Sequence, residues 1–416
     1  MFSSATTNLR KKIEYYTQTD LLYVLSGGFW SNLNFVFSSI LAFILSVAFA
    51  YYIPKESYGL YQYILSLSAI FTAFSLTGMN SSITRSVAQG YDGSFVKSIG
   101  PQLKWGLLSS GISLITALYY FIQGAHSIAL ALFFVSIFLP IINTTNTYTA
   151  LFIGKRDFKQ NFIFNTSFNF IYTIIMVIVI IYTQNPITIV ITYFLVAGLV
   201  NLFLFLKSIQ KNTLNTLIDP DTLPYAKHLS VMNIVGVIAN KIDSILVFQF
   251  IGPIHLALYT FAKIIPEKTG GAFKSFTSIA FPKFATQEKQ DIHKTILRRT
   301  FLLSLLAVGI SVGYIFIAPF LFNLFLPAYT DAIIYSQVLS LSLIGSAASL
   351  PMYALMSQKS TKELYIINIV YPLTQLALIF IMMYFWGIWG LIYSKIISSI
   401  IYVCLTTYTA YTYTNN

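Results

Sequence analysis

The sequence predicts an all-α membrane protein, with twelve transmembrane helices in two six-helix lobes around a central cavity. Three observations carry that expectation: the composition, the spacing of the apolar runs, and the side on which positive charge falls. Of 416 residues, 56% are hydrophobic and only 9% are charged, whereas an average soluble domain carries about 25% charged residues. So few charges cannot cover a water-soluble fold of this length, and most of the surface must meet lipid. The net charge of +12 is what basic residues retained on one side of a membrane produce. Nucleic acid is not an expected partner.

A crossing needs about 17–25 mostly apolar residues. The runs fall at 21–50, 57–80, 103–123, 127–152, 162–183, 186–206, 228–251, 255–281, 300–320, 331–356, 364–385 and 387–411. Residues 1–20 are polar and charged, and no small-residue cleavage pattern follows them, so they do not read as a signal peptide. Two spans, 228–251 and 255–281, are weak on hydropathy. The second contains Lys263, Pro266, Glu267, Lys268 and Lys274.

Charge decides whether that weak span crosses. With the N-terminus in the cytoplasm, nineteen of the 25 Lys and Arg residues fall on inside loops and their flanks. Outside loops hold only Lys55, and the other five (Lys241, Lys263, Lys268, Lys274 and Lys395) lie within spans. This is a strong positive-inside bias. Removing the crossing at 255–281 would put the basic loop at 283–299 outside. Both termini are therefore expected in the cytoplasm. The single cysteine, Cys404, and four scattered histidines offer no disulfide or metal-ligand spacing.

An internal repeat supports two parallel halves, 1–210 and 211–416. At an offset of 198 residues, Leu60-Tyr61 meets Leu258-Tyr259, Tyr63 meets Phe261, and Arg85 meets Lys283. Chance likeness between apolar segments is the alternative.

Charges inside spans cost about 2.5–3.5 kcal/mol each on insertion scales, so they mark candidate sites. In span eight, Lys263, Glu267, Gly270/Gly271, Lys274 and Ser278 share one helix face over about 22 Å. Lys263 and Glu267, four apart, can pair. The functional reading is a cationic face for an anionic head group; the alternative is a structural pair, with Lys274 snorkelling to the inner interface. In span seven, Lys241 and Asp243 point about 200° apart and cannot share one narrow face; the expectation is one toward the lumen and one toward a neighbouring helix, with pairing of either to the span-eight stripe as the alternative. Lys395 in span twelve either completes the cationic face or snorkels.

The first half carries amides instead: Asn32 and Asn34 in span one, Asn80 in span two, Asn143 and Asn146 in span four, and Asn165 and Asn169 in span five. Arg85 sits at the inner end of span two. Amides supply both donors and acceptors, which suits sugar hydroxyls; interhelical hydrogen bonding is the alternative for each. No set of nucleophile, histidine and acid appears, and no phosphate-cradling glycine loop, so no enzymatic activity is expected.

Several short motifs carry a family likeness. They are Pro54-Lys55-Glu56-Ser57-Tyr58-Gly59-Leu60-Tyr61, Gly78 before the basic exit at Arg85, Lys241-Ile242-Asp243-Ser244-Ile245-Leu246, Ile251-Gly252 with Leu258-Tyr259, and Leu326-Pro327-Ala328-Tyr329. In order and spacing across the whole chain they resemble the polysaccharide-biosynthesis flippases of the Wzx type. That group lies within the multidrug/oligosaccharidyl-lipid/polysaccharide (MOP) exporter superfamily. The resemblance implies a MOP/MATE-like fold. It implies translocation of an undecaprenyl-pyrophosphate-linked oligosaccharide, an O-antigen (lipopolysaccharide) or capsular repeat unit, across the bacterial inner membrane by alternating access. The substrate-binding set is then Lys241, Asp243, Lys263, Glu267, Lys274, Arg85, Lys395, Asn34 and Asn146. No cofactor is implied beyond coupling to a proton or sodium gradient. The expected partners are the lipid-linked oligosaccharide, the bilayer, a polysaccharide polymerase and a chain-length regulator. Related lipid II flippases concentrate arginines in the lumen of the first lobe, where this chain has none except Arg85 at the end of span two, which argues against lipid II. A multidrug antiporter of the same fold would want an acidic cavity, and a polymerase would want a basic external loop.

Overall fold

Apolar runs separated by Gly, Pro and Asn give helices with short connections. The structure is a computed structural model that describes residues 21–278, 284, 287, 289–358 and 360–415. The expected basic residues Arg10, Lys11, Lys12, Lys283 and Lys359 lie outside the described residues. Described residues form helices and turns, with no strand among them.

In chain order the helices are α1 (Leu21–Tyr52), α2 (Lys55–Ala73), α3 (Met79–Ala88), α4 (Gly93–Lys97), α5 (Ile99–Ile122), α6 (His126–Thr145), α7 (Tyr148–Gly154), α8 (Phe158–Tyr182), α9 (Pro186–Lys211), α10 (Thr222–Phe250), α11 (Pro253–Ser278) and α12 (Lys289–Phe325). After two 3-10 segments, Pro327–Ala332 and Leu341–Ala348, which flank α13 (Ile333–Ser340), come α14 (Ser349–Ser357) and α15 (Thr361–Asn415).

Nine stretches among the described residues are long and apolar enough to cross a membrane. One of them, Lys362–Thr414, is a hairpin. Gly387 inside it has φ 54 and ψ −132, and the rings of Tyr371 and Tyr402 lie 4.3 Å apart. A straight helix would separate those residues by about 46 Å. The turn falls where the sequence places the boundary between its last two spans. Only a residue without Cβ takes that backbone conformation without strain. Dividing the hairpin gives ten crossings. The α2–α3 pair and α11, whose polar residues lower their hydropathy, complete twelve.

The described part of the weak span at 255–281, up to Ser278, lies in one continuous helix of 26 residues, α11, with Pro266 inside it. It begins 198 residues after α2, the same offset that relates the two sequence halves. Tyr61, Tyr63, Tyr259 and Phe261, which that offset pairs, are all buried.

Three expected spans are not single helices. The run at 57–80 breaks at 74–78, the run at 127–152 breaks at Asn146-Thr147, and the run at 331–356 is interrupted by a 3-10 stretch. Hydropathy does not register a change of helix type. The breaks coincide with Ser, Thr, Asn and Gly, whose side chains or backbone freedom compete with the helical ladder.

Packing divides the chain into two compact units. One holds Leu33–Thr260 with Leu326–Ala328; the other holds Phe261–Phe325, Tyr329–Asn416 and the described part of Met1–Asn32. In the first unit, α10 runs antiparallel along the whole α2–α3 pair. At one end Tyr63 stacks on Phe248 with ring centroids 3.9 Å apart. At the other, the Gly78 amide donates to Ser230 Oγ (2.9 Å) and Ser82 Oγ donates to the Thr222 carbonyl (2.6 Å). Gly59, in the family-like motif, lets the first turn of α2 touch the α10–α11 turn: a Cβ there would lie 2.0 Å from the Pro253 carbonyl oxygen. At the α3 end of this unit lies a core that includes Met79, Ile83, Phe95, Tyr148 and Phe152. The second unit has its own core around Ile292, Ile296, Leu350 and Ile367.

Large apolar side chains such as Ile122 (77% exposed), Phe250 and Phe316 cover the outside. A surface of this kind is at home only in lipid. Within it, buried serines and threonines return their hydroxyls to the preceding turn, as Ser68 does to the Ile64 carbonyl and Thr409 to that of Leu405. This satisfies them without water.

Candidate functional site

Two helix breaks of the first unit meet at one pocket. The last turn of α2 supplies Thr72, the break after it supplies Ser75 and Thr77, and Asn80 follows at the start of α3. The break after α6 supplies Asn146, one turn beyond Asn143. Gln102 enters from α5. The pocket has a volume of about 230 Å³. Among the described residues its only apolar lining residue is Leu76, and no lining side chain is charged.

Its hydrogen bonds leave capacity for a guest. Asn143 Nδ2 donates to Ser75 Oγ at 3.4 Å, and Ser75 Oγ donates to the Thr72 carbonyl at 2.7 Å. Gln102, itself buried, donates to Ser98 Oγ at 2.9 Å. The Thr77 hydroxyl is buried with no partner among the described residues. Non-helical backbone at membrane depth is tolerated where it lines a cavity, and broken helices of this kind mark binding sites in transporters. Neutral groups that both donate and accept match hydroxyls better than phosphate.

The structure thus brings together three of the amides singled out in the sequence, Asn80, Asn143 and Asn146. Gln102, Thr72, Ser75 and Thr77 were missed. The sequence signal for them is the cluster Ser75-Leu76-Thr77-Gly78 inside an apolar run. Asn34 is elsewhere; its Oδ1 is buried without a hydrogen-bond partner among the described residues. Asn165 bonds back to Asn161 on its own helix. Asn169 donates to Ser38 Oγ at 3.0 Å in a second pocket.

The charged candidates are distributed differently. On α10, Lys241 is exposed while Asp243 is fully buried, as their opposite directions require. Asp243 Oδ1 accepts from the Ser244 amide (2.7 Å), and Oδ2 accepts from the Tyr259 hydroxyl (2.9 Å). On α11, Lys263 and Glu267 do pair, at 4.0 Å, with the Glu267 side chain 70% exposed. Contact at that distance and exposure adds little stability. Lys274 is exposed, and Lys395 is half-buried. Gly270 and Thr277 of α11 are buried, Thr277 through a 2.6 Å bond to Ser349 Oγ, so the face expected to be polar is partly a packing face.

Arg85 lies near the end of α3, its guanidinium 5.0 Å from the centroid of the Tyr225 ring. Beside it the connection 212–221 is strapped down. Asn215 donates to the Gly90 carbonyl (2.8 Å), the Asp219 amide donates to Ser94 Oγ (2.8 Å), and Lys155 donates to the Thr213 carbonyl (3.2 Å). The Ser86 hydroxyl bond holds the Asp219 carboxyl below its ordinary range against the opposing pull of burial; the Asp221 amide and the Arg85 charge act the same way as Ser86.

Comparison with known proteins decides the family. The model of the family described as "Polysaccharide biosynthesis protein" matches residues 24–285, more than half of the chain. The chain belongs to that polysaccharide biosynthesis family. Its fold is that of the MOP superfamily, to which the motif likeness pointed. A solved lipid II flippase MurJ, in an inward closed conformation, superposes with a TM-score of 0.69 at 16% identity, covering 91% of this chain and 86% of the other. An outward-facing MATE-family multidrug resistance transporter of the MOP superfamily gives 0.60 at 14% identity, covering 92% and 95%. A MOP superfamily transporter from Pyrococcus furiosus gives 0.56 at 12% identity, covering 94% and 96%. No curated protein matches the chain in sequence.

Proposed function

We propose that this member of the polysaccharide biosynthesis family is a flippase. It moves an undecaprenyl-pyrophosphate-linked oligosaccharide, an O-antigen or capsular repeat unit, across a bacterial inner membrane by alternating access. The observation that carries this reading is the uncharged pocket at the two helix breaks. Asn80, Asn143, Asn146 and Gln102 offer amide donors and acceptors where an oligosaccharide offers hydroxyls, and a membrane-embedded polar pocket needs a polar guest. The family membership and the MOP fold support the same reading. A multidrug cation exporter is disfavoured because no acid lines this pocket.

The diphosphate falls to the cationic side chains, with Lys263 and Lys241 as the first candidates, and the polyprenyl chain stays in lipid. Electrogenic movement of the head group is worth about 2.3 kcal/mol per charge per 100 mV. A proton or sodium gradient is the other source of drive, with Asp243 and Glu267 as the intramembrane acids. A polymerase and its chain-length regulator would consume the delivered units.

The test follows the lipid-linked intermediates in cells lacking the chain. Repeat units are expected to accumulate on the inner leaflet, and the wild-type chain is expected to clear them. Asn143→Leu with Gln102→Leu should lower clearance by about tenfold or more, since each lost hydrogen bond is worth about 1 kcal/mol. Units that reach the outer leaflet without the chain and stay unpolymerised would overturn the proposal in favour of a polymerase.

A further inference from the structure

A second cavity in the same unit has different walls. It lies among α1, α2, α8 and α9 and holds about 340 Å³. Four tyrosines, Tyr58, Tyr61, Tyr172 and Tyr193, contribute to its lining. Tyr193 meets two of the others edge to face, Tyr61 at 6.1 Å and 78° and Tyr172 at 5.5 Å and 89°, while Tyr58 and Tyr61 are inclined by 30°. Between the rings sit two amides. Gln62 Nε2 donates to Tyr58 Oη at 2.8 Å, and Asn169 Nδ2 donates to Ser38 Oγ at 3.0 Å. Each of those bonds uses the amino group of its amide. The side-chain carbonyls of Gln62 and Asn169 and the hydroxyl of Tyr193 take part in no hydrogen bond among the described residues. No described residue of the lining carries a charge.

These walls select by chemistry. A diphosphate finds no cation. An acyl chain fits the rings but strands two amides and a phenol without water, at a cost of about 1–3 kcal/mol for each group. An organic cation fits the ring faces but finds no carboxylate and meets amide N–H groups. A sugar ring satisfies all of it, since its C–H face lies on a tyrosine while its hydroxyls reach the amide carbonyls and the free phenol.

We infer that this tyrosine-walled cavity is a second subsite that takes one uncharged sugar ring of the head group. The inference rests on the flippase reading and deepens it. Gln62 and Thr72, one in each pocket, are ten residues apart on α2, about 15 Å along its axis. Two neutral subsites on one helix suit an oligosaccharide carrying uncharged residues at separate positions. The specificity then lies in the rings and amides, and the lysines meet the charge.

The experiment is saturation-transfer NMR on the purified full chain in nanodiscs. The probes are uncharged hexoses, an N-acetylhexosamine and a deoxyhexose, with tetraethylammonium as the rival. At least one sugar should receive saturation. Tyr193→Ala and Asn169→Leu should each weaken it by about tenfold, and Tyr193→Phe, which keeps the ring, should weaken it less. Thermal unfolding checks that each variant is folded; if Tyr193→Ala is not, Asn169→Leu decides. Sugar binding indifferent to both residues, no sugar binding at all, or tetraethylammonium bound through Tyr193 would each overturn the assignment. Clearance of lipid-linked units in cells separates the two readings. A wild-type chain that clears them but fails the NMR test loses only this subsite. A chain that clears nothing loses the flippase reading, whatever the sugars do.

Discussion

Ser86 donates its hydroxyl proton to Asp219 across 2.7 Å, tying the end of α3 to the connection that precedes α10. The same carboxylate accepts from the Asp221 amide at 3.0 Å, and Ser86 Oγ also lies 2.8 Å from Thr222 Oγ1. These bonds favour the ionised acid, and Asp219 is held below its ordinary value of 3.8. A carboxyl lowered on folding stabilises the fold fully above its unfolded value, and that stability is lost as pH falls through the folded one. Thermal unfolding should therefore be flat in this respect at neutral pH and weaken only below about 3.8. Asp219→Asn should remove the acid-dependent part, and Ser86→Ala should cost about 1–3 kcal/mol by leaving buried partners unsatisfied.

The opposite end of the same seam is held by Gln249. Its Nε2 donates to the hydroxyls of Tyr63 (2.5 Å) and Tyr120 (2.6 Å), which also bond to each other. Gln249→Leu should cost about 1–2 kcal/mol in unfolding and Tyr120→Phe about 1. Because they share bonds, the double variant should cost less than the sum. Simple additivity would show that the three side chains do not act as a unit.

The residues just named also explain what the sequence could and could not reveal. Spans are legible because lipid imposes a length and a polarity on each, and charge placement was enough to keep α11 in the count. The opposite directions of Lys241 and Asp243 followed from helix geometry alone. The pocket at the two breaks was only half legible. Asn80, Asn143 and Asn146 stand out in apolar runs, but that they converge depends on α2 ending at Ala73 and α6 at Thr145, which hydropathy does not encode. The tyrosine cavity was not legible at all, because tyrosine is also an ordinary interfacial residue and only packing separates the two uses.

Two glycines should respond oppositely to the same change. At Gly59 an added methyl would sit 2.0 Å from the Pro253 backbone oxygen, and backbone cannot step aside as a side chain can. Gly59→Ala should cost about 1–3 kcal/mol or more. Gly111, inside α5, has nothing within 4 Å of that position. Gly111→Ala should be neutral or stabilise by about 0.5–1 kcal/mol, the usual helix gain. Thermal unfolding of the two variants side by side is the measurement, and equal effects would refute the close approach of α2 to the α10–α11 turn.

Glu267 separates structure from function on α11. Its contact with Lys263 is 4.0 Å long and its side chain is 70% exposed, so the pair is screened and contributes at most about 1 kcal/mol. Glu267→Gln keeps the shape and removes the charge, and the melting temperature should hardly move. Clearance of lipid-linked units reads the other role. If Glu267 carries a coupling proton or tempers Lys263 toward a diphosphate, clearance should fall several-fold and its dependence on external pH should change. A variant that melts and transports as the wild type does would make the pair an incidental surface contact, and would move the search for the coupling acid to Asp243, the buried carboxylate on α10.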